Sequence, residues 1–154
     1  MNAKNLLIIL SSILLSACGT HTRYSEFQSV PLCGWHADSV LHYDFRVSDN
    51  SPCDIVLCIR HNETYPYQNM WLFCTLGNDS DILWRDTLEF YLADDRGRWL
   101  GNGGVKLVEM PVLFAQHYQF PDTGKYVFTI QQGMREERLR GINDVGVIIN
   151  DGKE

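Results

Sequence analysis

The sequence lacks the features that mark an enzyme, a metalloprotein or a nucleic-acid binder. Its histidines never occur in HxH or HExxH spacing, and no serine stands in a G-x-S-x-G elbow. The glycine-rich segment 101–104 has no Lys-Ser/Thr of a phosphate loop and is typical of a turn between strands. Basic residues number 13 against 19 acidic ones, which disfavours binding to a phosphate backbone. These absences predict no enzymatic activity, no cofactor, no metal site and no nucleic-acid partner.

The chain has one long apolar stretch, and it lies at the N-terminus. Lys4 precedes about ten apolar residues, too few to cross the roughly 30 Å hydrocarbon core of a bilayer. The stretch ends in Leu-Ser-Ala-Cys at 15–18, which resembles the bacterial lipobox, a motif whose cysteine is lipidated. We therefore expect a lipoprotein signal peptide at 1–17 and a covalent N-acyl diglyceride lipid on Cys18. An ordinary secreted protein with a chance cysteine is the alternative.

The remainder has the length of a single domain. We expect 18–28 to be a lipidated tether and 29–154 to be one folded domain. No acidic cluster follows Cys18. Because such a tract often accompanies lipoproteins displayed on the cell surface, its absence favours a domain anchored to the outer membrane and facing the periplasm.

Alternation of apolar and polar residues with period two recurs along the chain, and no helical period persists. The clearest candidate strands are 40–47, 55–60, 70–76, 82–92, 125–131 and 144–150. Segment 133–141 reads as a single helical turn or a long hairpin loop. The pattern predicts an all-β fold, an antiparallel β-sandwich of jelly-roll or immunoglobulin-like type with about eight or nine strands.

Beyond Cys18 the chain has four cysteines, Cys33, Cys53, Cys58 and Cys74. An oxidising compartment permits disulfides between them. We expect Cys58 and Cys74 on neighbouring strands, where a disulfide would be worth about 3 kcal/mol. Buried free thiols are the alternative.

Aromatic and basic side chains supply the candidate binding residues. Tyr65 and Tyr67 flank Pro66 in a predicted loop, and Arg135 and Arg138 lie in segment 133–141. All four are candidate partner-binding residues. For the arginines, the alternative is a solvated loop whose charges are balanced by the interleaved glutamates. Tryptophans 71 and 84 lie within alternating strands and are expected in the core.

Four stretches, in order, resemble the gliding-motility lipoprotein GldH family of the Bacteroidetes. They are 65–73, 86–94 with its continuation to 103, 124–128, and 132–146. The resemblance implies a lipid-anchored component of the envelope machinery that moves surface adhesins and depends on the type IX secretion system. Its implied partners are other envelope proteins of that apparatus, and it implies no catalytic residue. Where the family has mostly aliphatic residues this chain has Cys58 and Cys74, so a disulfide between them would be particular to this member.

A second function stays open. A β-sandwich carbohydrate-binding module that presents aromatic side chains to polysaccharide would also fit a lipid-anchored envelope protein. This reading requires at least two aromatic side chains on one exposed face.

Overall fold

The computed structural model describes residues 21–104 and 106–152, and these residues form eleven β-strands and no helix. Accordingly, no helix capable of spanning a membrane occurs among them. The predicted signal peptide and the predicted lipidation at Cys18 lie outside the described residues.

The strands follow one another along the chain with short connections. Their bounds are β1 (Thr22–Ser29), β2 (Trp35–His36), β3 (Val40–Val47), β4 (Cys53–His61), β5 (Asn69–Asn78), β6 (Ile82–Tyr91), β7 (Asn102–Gly104), β8 (Leu107–Tyr118), β9 (Gly124–Gln132), β10 (Arg138–Leu139) and β11 (Ile142–Asp151).

Nine of these strands form two antiparallel sheets that pack face to face. One sheet has the order β1-β11-β4-β8-β7 and the other has the order β3-β9-β5-β6. Strands β2 and β10 pair separately as a two-residue ladder. The predicted all-β antiparallel sandwich is confirmed. The two main sheets contain nine strands, in agreement with the expected eight or nine, and the short ladder adds two more.

Alternate residues of the strands build the core, as the period-two pattern predicts. Tyr43 and Phe45 of β3 are buried, as are Phe128 and Ile130 of β9. The buried Tyr43 hydroxyl donates a hydrogen bond of 2.7 Å to the carbonyl of Val145 in the other sheet. The two sheets are thus joined by a buried hydrogen bond within a largely apolar core.

The expected tether at 18–28 is too long, because its residues 22–28 belong to β1. This strand pairs with β11 from Thr22 to Ser29. Its pattern is difficult to recognise in the sequence because both of its faces are partly covered. Tyr24 packs on Phe45 with ring centroids 5.3 Å apart, and the guanidinium of Arg60 lies 3.8 Å from the centre of the Phe27 ring.

One further expectation about local structure is wrong. Segment 101–104 is not a turn, because residues 102–104 form β7 against the start of β8, with Gly103 at a φ of +136°.

For segment 133–141, expected as a single helical turn or a long hairpin loop, the structure shows a loop without a helical turn. The loop contains the short strand β10, where Leu139 is buried beside Trp35 of β2.

The antiparallel order gathers the connections at two ends of the sandwich. The end where β1 begins is called the proximal end. At the opposite, distal end lie the connections 30–39, 62–68, 92–101 and 133–141, since β1, β4, β6 and β9 all finish there. Two of the four carry the candidate tyrosines and arginines.

Candidate partner-binding site

A hollow of about 380 Å³ opens at the distal end, beside the first residues of β5. Two short segments form its walls, one leading into β5 and one leaving β9. The lining residues are Tyr67, Asn69, Trp71, Gly133, Met134 and Arg135. We call this feature the distal hollow.

The exposed indole of Trp71 forms one wall of the distal hollow. Met70 and Leu72 on either side of it point into the core, so Trp71 and Phe73 point outward and are 38% and 47% exposed. The expectation that Trp71 is a core residue is therefore wrong. Trp84, also expected in the core, is half-buried, with its ring 4.3 Å from that of Phe114.

Gly133 creates the space beside the indole. It follows β9 and donates its N–H to the carbonyl of Trp71 at 2.7 Å. A Cβ at this position would lie 3.3 Å from the Cβ of Trp71 and 3.3 Å from Cζ of Phe73. Because glycine has no side chain, the hollow is bounded at this position by backbone alone.

A buried glutamine holds the opposite wall in place. The side chain of Gln132 accepts a hydrogen bond of 2.8 Å from the N–H of Met134 and donates one of 2.7 Å to the carbonyl of Glu136. The sulfur of Met134 in turn accepts a hydrogen bond of 3.3 Å from the backbone N–H of Trp71. These contacts fix the loop against β5 and preform the hollow, which reduces the entropy cost of binding.

The two candidate tyrosines have different environments. Tyr65 is 3% exposed, so the expectation that it contacts a partner is wrong. Its hydroxyl donates to the carbonyl of Asn69 at 2.7 Å, and burial raises the pKa of Tyr65 well above its ordinary value. Tyr67 remains half-exposed in the distal hollow. It donates a 2.6 Å hydrogen bond to the carboxylate of Glu136, which raises the pKa of Tyr67.

Both candidate arginines are exposed at this end, on opposite sides of the contact between Tyr67 and Glu136. Arg135 lines the distal hollow, and Arg138 lines a neighbouring depression, where its Nη1 lies 3.8 Å from the sulfur of Cys33. Within residues 21–104 and 106–152 neither arginine forms an ion pair, since Glu136 is engaged by Tyr67 and Glu137 lies 3.4 Å from His36. The charge balance expected inside this loop is therefore not formed by direct contacts.

The composition of the distal hollow suits recognition of another protein. Tryptophan, tyrosine, methionine and arginine are enriched where proteins meet, and tryptophan, tyrosine and arginine carry most of the binding free energy there. Among the described residues, no group of three or more histidine, cysteine or acidic side chains is arranged to hold a metal ion.

The family of the chain is shown by comparison with a family model. The model of the GldH lipoprotein family matches residues 22–149, which include every strand from β1 to β10 and most of β11. The chain belongs to the GldH lipoprotein family.

Two curated relatives support the assignment along nearly the full length. Gliding motility lipoprotein GldH of Flavobacterium johnsoniae is 33% identical over 155 residues, which cover 95% of this chain and 96% of the relative. The gliding motility lipoprotein GldH homolog of Christiangramia forsetii is 31% identical over 148 residues, with 91% and 90% coverage.

Solved structures add little to this. Dimeric latent PorU of Porphyromonas gingivalis aligns with 90% of this chain, at 10% identity and a TM-score of 0.37. The chain spans only 14% of the PorU chain. A similarity this weak bears on neither the fold nor the function of this GldH lipoprotein.

The cysteines of this family member are free thiols where the structure describes them. The expectation that Cys58 and Cys74 lie on neighbouring strands is wrong, because β4 and β5 belong to different sheets, and no disulfide joins the two residues. Cys74 points into the core, whereas Cys58, between the inward-facing Leu57 and Ile59, points to the outer face of its sheet. Burial raises the pKa of each of these two thiols to about 12, so both are poorly reactive.

Proposed function

We propose that this GldH lipoprotein is a non-enzymatic, lipid-anchored adaptor of the gliding and type IX secretion machinery. It binds another protein of the cell envelope through the distal hollow. The observation that carries this proposal is the partly exposed Trp71 side chain, which lines one hollow together with the backbone of Gly133 and the exposed Arg135. An aromatic anchor in a preformed hollow, bordered by an arginine, is the usual centre of a protein interface.

The proposed anchor is the lipid on Cys18, on the periplasmic side of the outer membrane. Two or three acyl chains hold a protein at a membrane with little exchange. Anchoring confines the domain to a thin layer and raises its effective concentration for partners in the same membrane. Since β1 starts at Thr22, four residues after Cys18, the distal hollow lies at the end of the sandwich away from the lipid.

In-cell crosslinking of the tagged, lipidated protein, followed by mass spectrometry of the captured proteins, tests the adaptor function. The native chain should capture proteins of the motility or secretion apparatus. Combining Trp71→Ala with Arg135→Ala should lower this capture at least tenfold, because truncating one interface hot spot costs about 2 kcal/mol or more. Arg138→Ala tests separately whether the neighbouring depression contributes.

A matched control separates the site from a general surface effect. Leu113 of β8 is 53% exposed and Arg96 lies in the exposed 94–97 turn, both outside the distal hollow. Leu113→Ala combined with Arg96→Ala also removes one exposed apolar side chain and one arginine, and it should leave capture intact. Equal capture by the two double variants would show that the distal hollow is not the contact surface.

A second function is supported by the pair Trp71 and Phe73. They stand two residues apart on one exposed face of β5, about 7 Å apart along the strand. Aromatic side chains on an exposed sheet face can stack against sugar rings, as a glycan-binding lipoprotein requires. Retention of envelope polysaccharide on the immobilised protein, lost in Phe73→Ala as well as Trp71→Ala, would favour this function. Absence of retention by the native chain would eliminate it.

A further inference from the structure

A second cavity, of about 540 Å³, lies at the proximal end, far from the distal hollow. We call it the proximal cleft. Its floor is apolar and contains Phe45, Phe120 and Ile149. Its rim is charged and contains Arg23, Arg46 and Asp49. The cleft opens between the last residues of β3 and the first residues of β1, so it is at the end of the sandwich that the chain enters from Cys18.

The rim contains one group of charges that is internally paired. Nε of Arg23 donates to the carboxylate of Asp151 at 2.5 Å, and its Nη1 lies 3.5 Å from the carboxylate of Asp49. Arg23 also donates to the backbone carbonyls of Ser51 and Pro52. Because these contacts occupy its guanidinium, Arg23 is not available to bind an external anion.

The other rim cation has no such partner. The register of β3 and β9 places Arg46 directly opposite Lys125, and both side chains are exposed. Like charges directly opposite on neighbouring strands destabilise a sheet. In the part of the chain that the structure describes, neither side chain forms an ion pair, including with Asp44 on the same face. An anion bound between the two cations would relieve their repulsion.

The position of this pair indicates which anion it meets. Three peptide units separate His21 from Cys18, and a fully extended chain reaches at most about 3.6 Å per residue, or about 11 Å in total. If Cys18 carries the lipid, as the proposed function holds, the proximal end is kept close to the headgroup layer of the membrane. Phosphate is the anionic group that phospholipids present there, and arginine and lysine both bind it.

We propose that the proximal end of the sandwich docks on the phospholipid bilayer, with Arg46 and Lys125 bound to lipid phosphates. The proximal cleft beside them offers its apolar floor to the lipid below the headgroups. Docking fixes the orientation of the domain and prevents it from rotating about its lipid anchor. The distal hollow then faces away from the membrane. A partner then meets the hollow in one orientation, which improves the geometry of a tethered encounter.

Hydrogen exchange of the full lipidated protein tests this docking. The protein is compared in vesicles of phosphatidylethanolamine with phosphatidylglycerol and in a neutral detergent. Exchange of segments 45–51 and 119–125 should slow about tenfold in the vesicles, and high salt should abolish the slowing. Segment 133–141 should exchange equally in both. Combining Arg46→Gln with Lys125→Gln should remove the slowing, whereas the control Arg96→Gln, at the distal turn, should retain it.

Three other outcomes would each overturn one part of the proposal. Equal exchange of the two proximal segments in vesicles and detergent would overturn the docking. Slowing that persists in the double variant, with an unchanged melting temperature, would overturn the role of the two cations. A protein that does not co-float with the vesicles would instead refute the lipid anchor at Cys18, on which the proposed function rests.

Discussion

Replacing His61 with phenylalanine should make the protein more stable. His61 ends β4 in a fully buried position, where its ring centroid lies 4.5 Å from that of Trp99 and 5.9 Å from that of Tyr65. Within residues 21–104 and 106–152 its buried Nε2 has no hydrogen-bond partner, and its Nδ1 has only a long contact of 3.4 Å with the carbonyl of Asn62. An unsatisfied buried polar group costs about 1–3 kcal/mol, so a phenylalanine of similar shape should raise the free energy of unfolding by about 1–2 kcal/mol.

The pH dependence provides a second signature. Burial lowers the pKa of His61 below its ordinary value near 6.5. On acidification, the His61 imidazole is therefore protonated in the unfolded chain at a higher pH than in the folded chain. As a result, the free energy of unfolding falls as the pH drops below about 6.5. For a single histidine this loss reaches up to about 1.4 kcal/mol at about pH 5.5, and it should be absent in the variant.

Urea unfolding followed by tryptophan fluorescence at about pH 7.5 and about pH 5.5 measures both effects. His42→Phe is the matched control, because His42 lies on the exposed face of β3 and its replacement should not stabilise the fold. The His61→Phe variant should be more stable at the higher pH and further ahead of the native chain at the lower pH. A less stable variant with the native pH dependence would show that the His61 ring is satisfied and that this reasoning is wrong.

Three further changes test the packing and the free thiols. Tyr43→Phe should lower the free energy of unfolding by about 1–2 kcal/mol in urea, because it leaves the buried carbonyl of Val145 without its donor. Gly141→Ala should destabilise the protein by more than 1 kcal/mol in thermal unfolding, since φ there is +83° and a Cβ would collide with the backbone of Tyr65. Alkylation of the folded protein should modify Cys33 alone among the described cysteines, and denaturation should expose the three buried ones; rapid labelling of a second thiol before denaturation would contradict the core as described.

Strands whose two faces differ in polarity can be predicted from the sequence, whereas strands whose two faces are similar in polarity cannot. In β3 and β9, aromatic residues alternate with polar ones, so Val40–Val47 is predicted with its observed bounds. Strand β8 is not predicted, because Pro111 interrupts it. The structure accommodates this proline because β7 covers only the first three residues of β8, and the remainder forms an open sheet edge where a missing N–H is tolerated.

The candidate site is predicted in part. Loops between strands correctly suggest exposure for Tyr67 and for the two arginines of segment 133–141. Trp71 is missed because apolar residues occupy both faces of β5, so the pattern does not show which face is buried. Tyr65 is misplaced for a different reason. Gly141, distant in sequence, has no side chain and lets the chain pack directly over it. Such contacts depend on strand register, which residue types alone do not encode.

Site-specific photocrosslinking in living cells tests the central claim most directly. A photoreactive residue is placed at Asn69, within the distal hollow, or at Leu113, on the exposed face of β8. The adaptor account predicts one discrete crosslinked protein from position 69, and none from position 113. It further predicts that Trp71→Ala abolishes the crosslink without lowering the amount of anchored protein. Crosslinks of equal yield from both positions, or one at 69 that survives Trp71→Ala, would contradict the account.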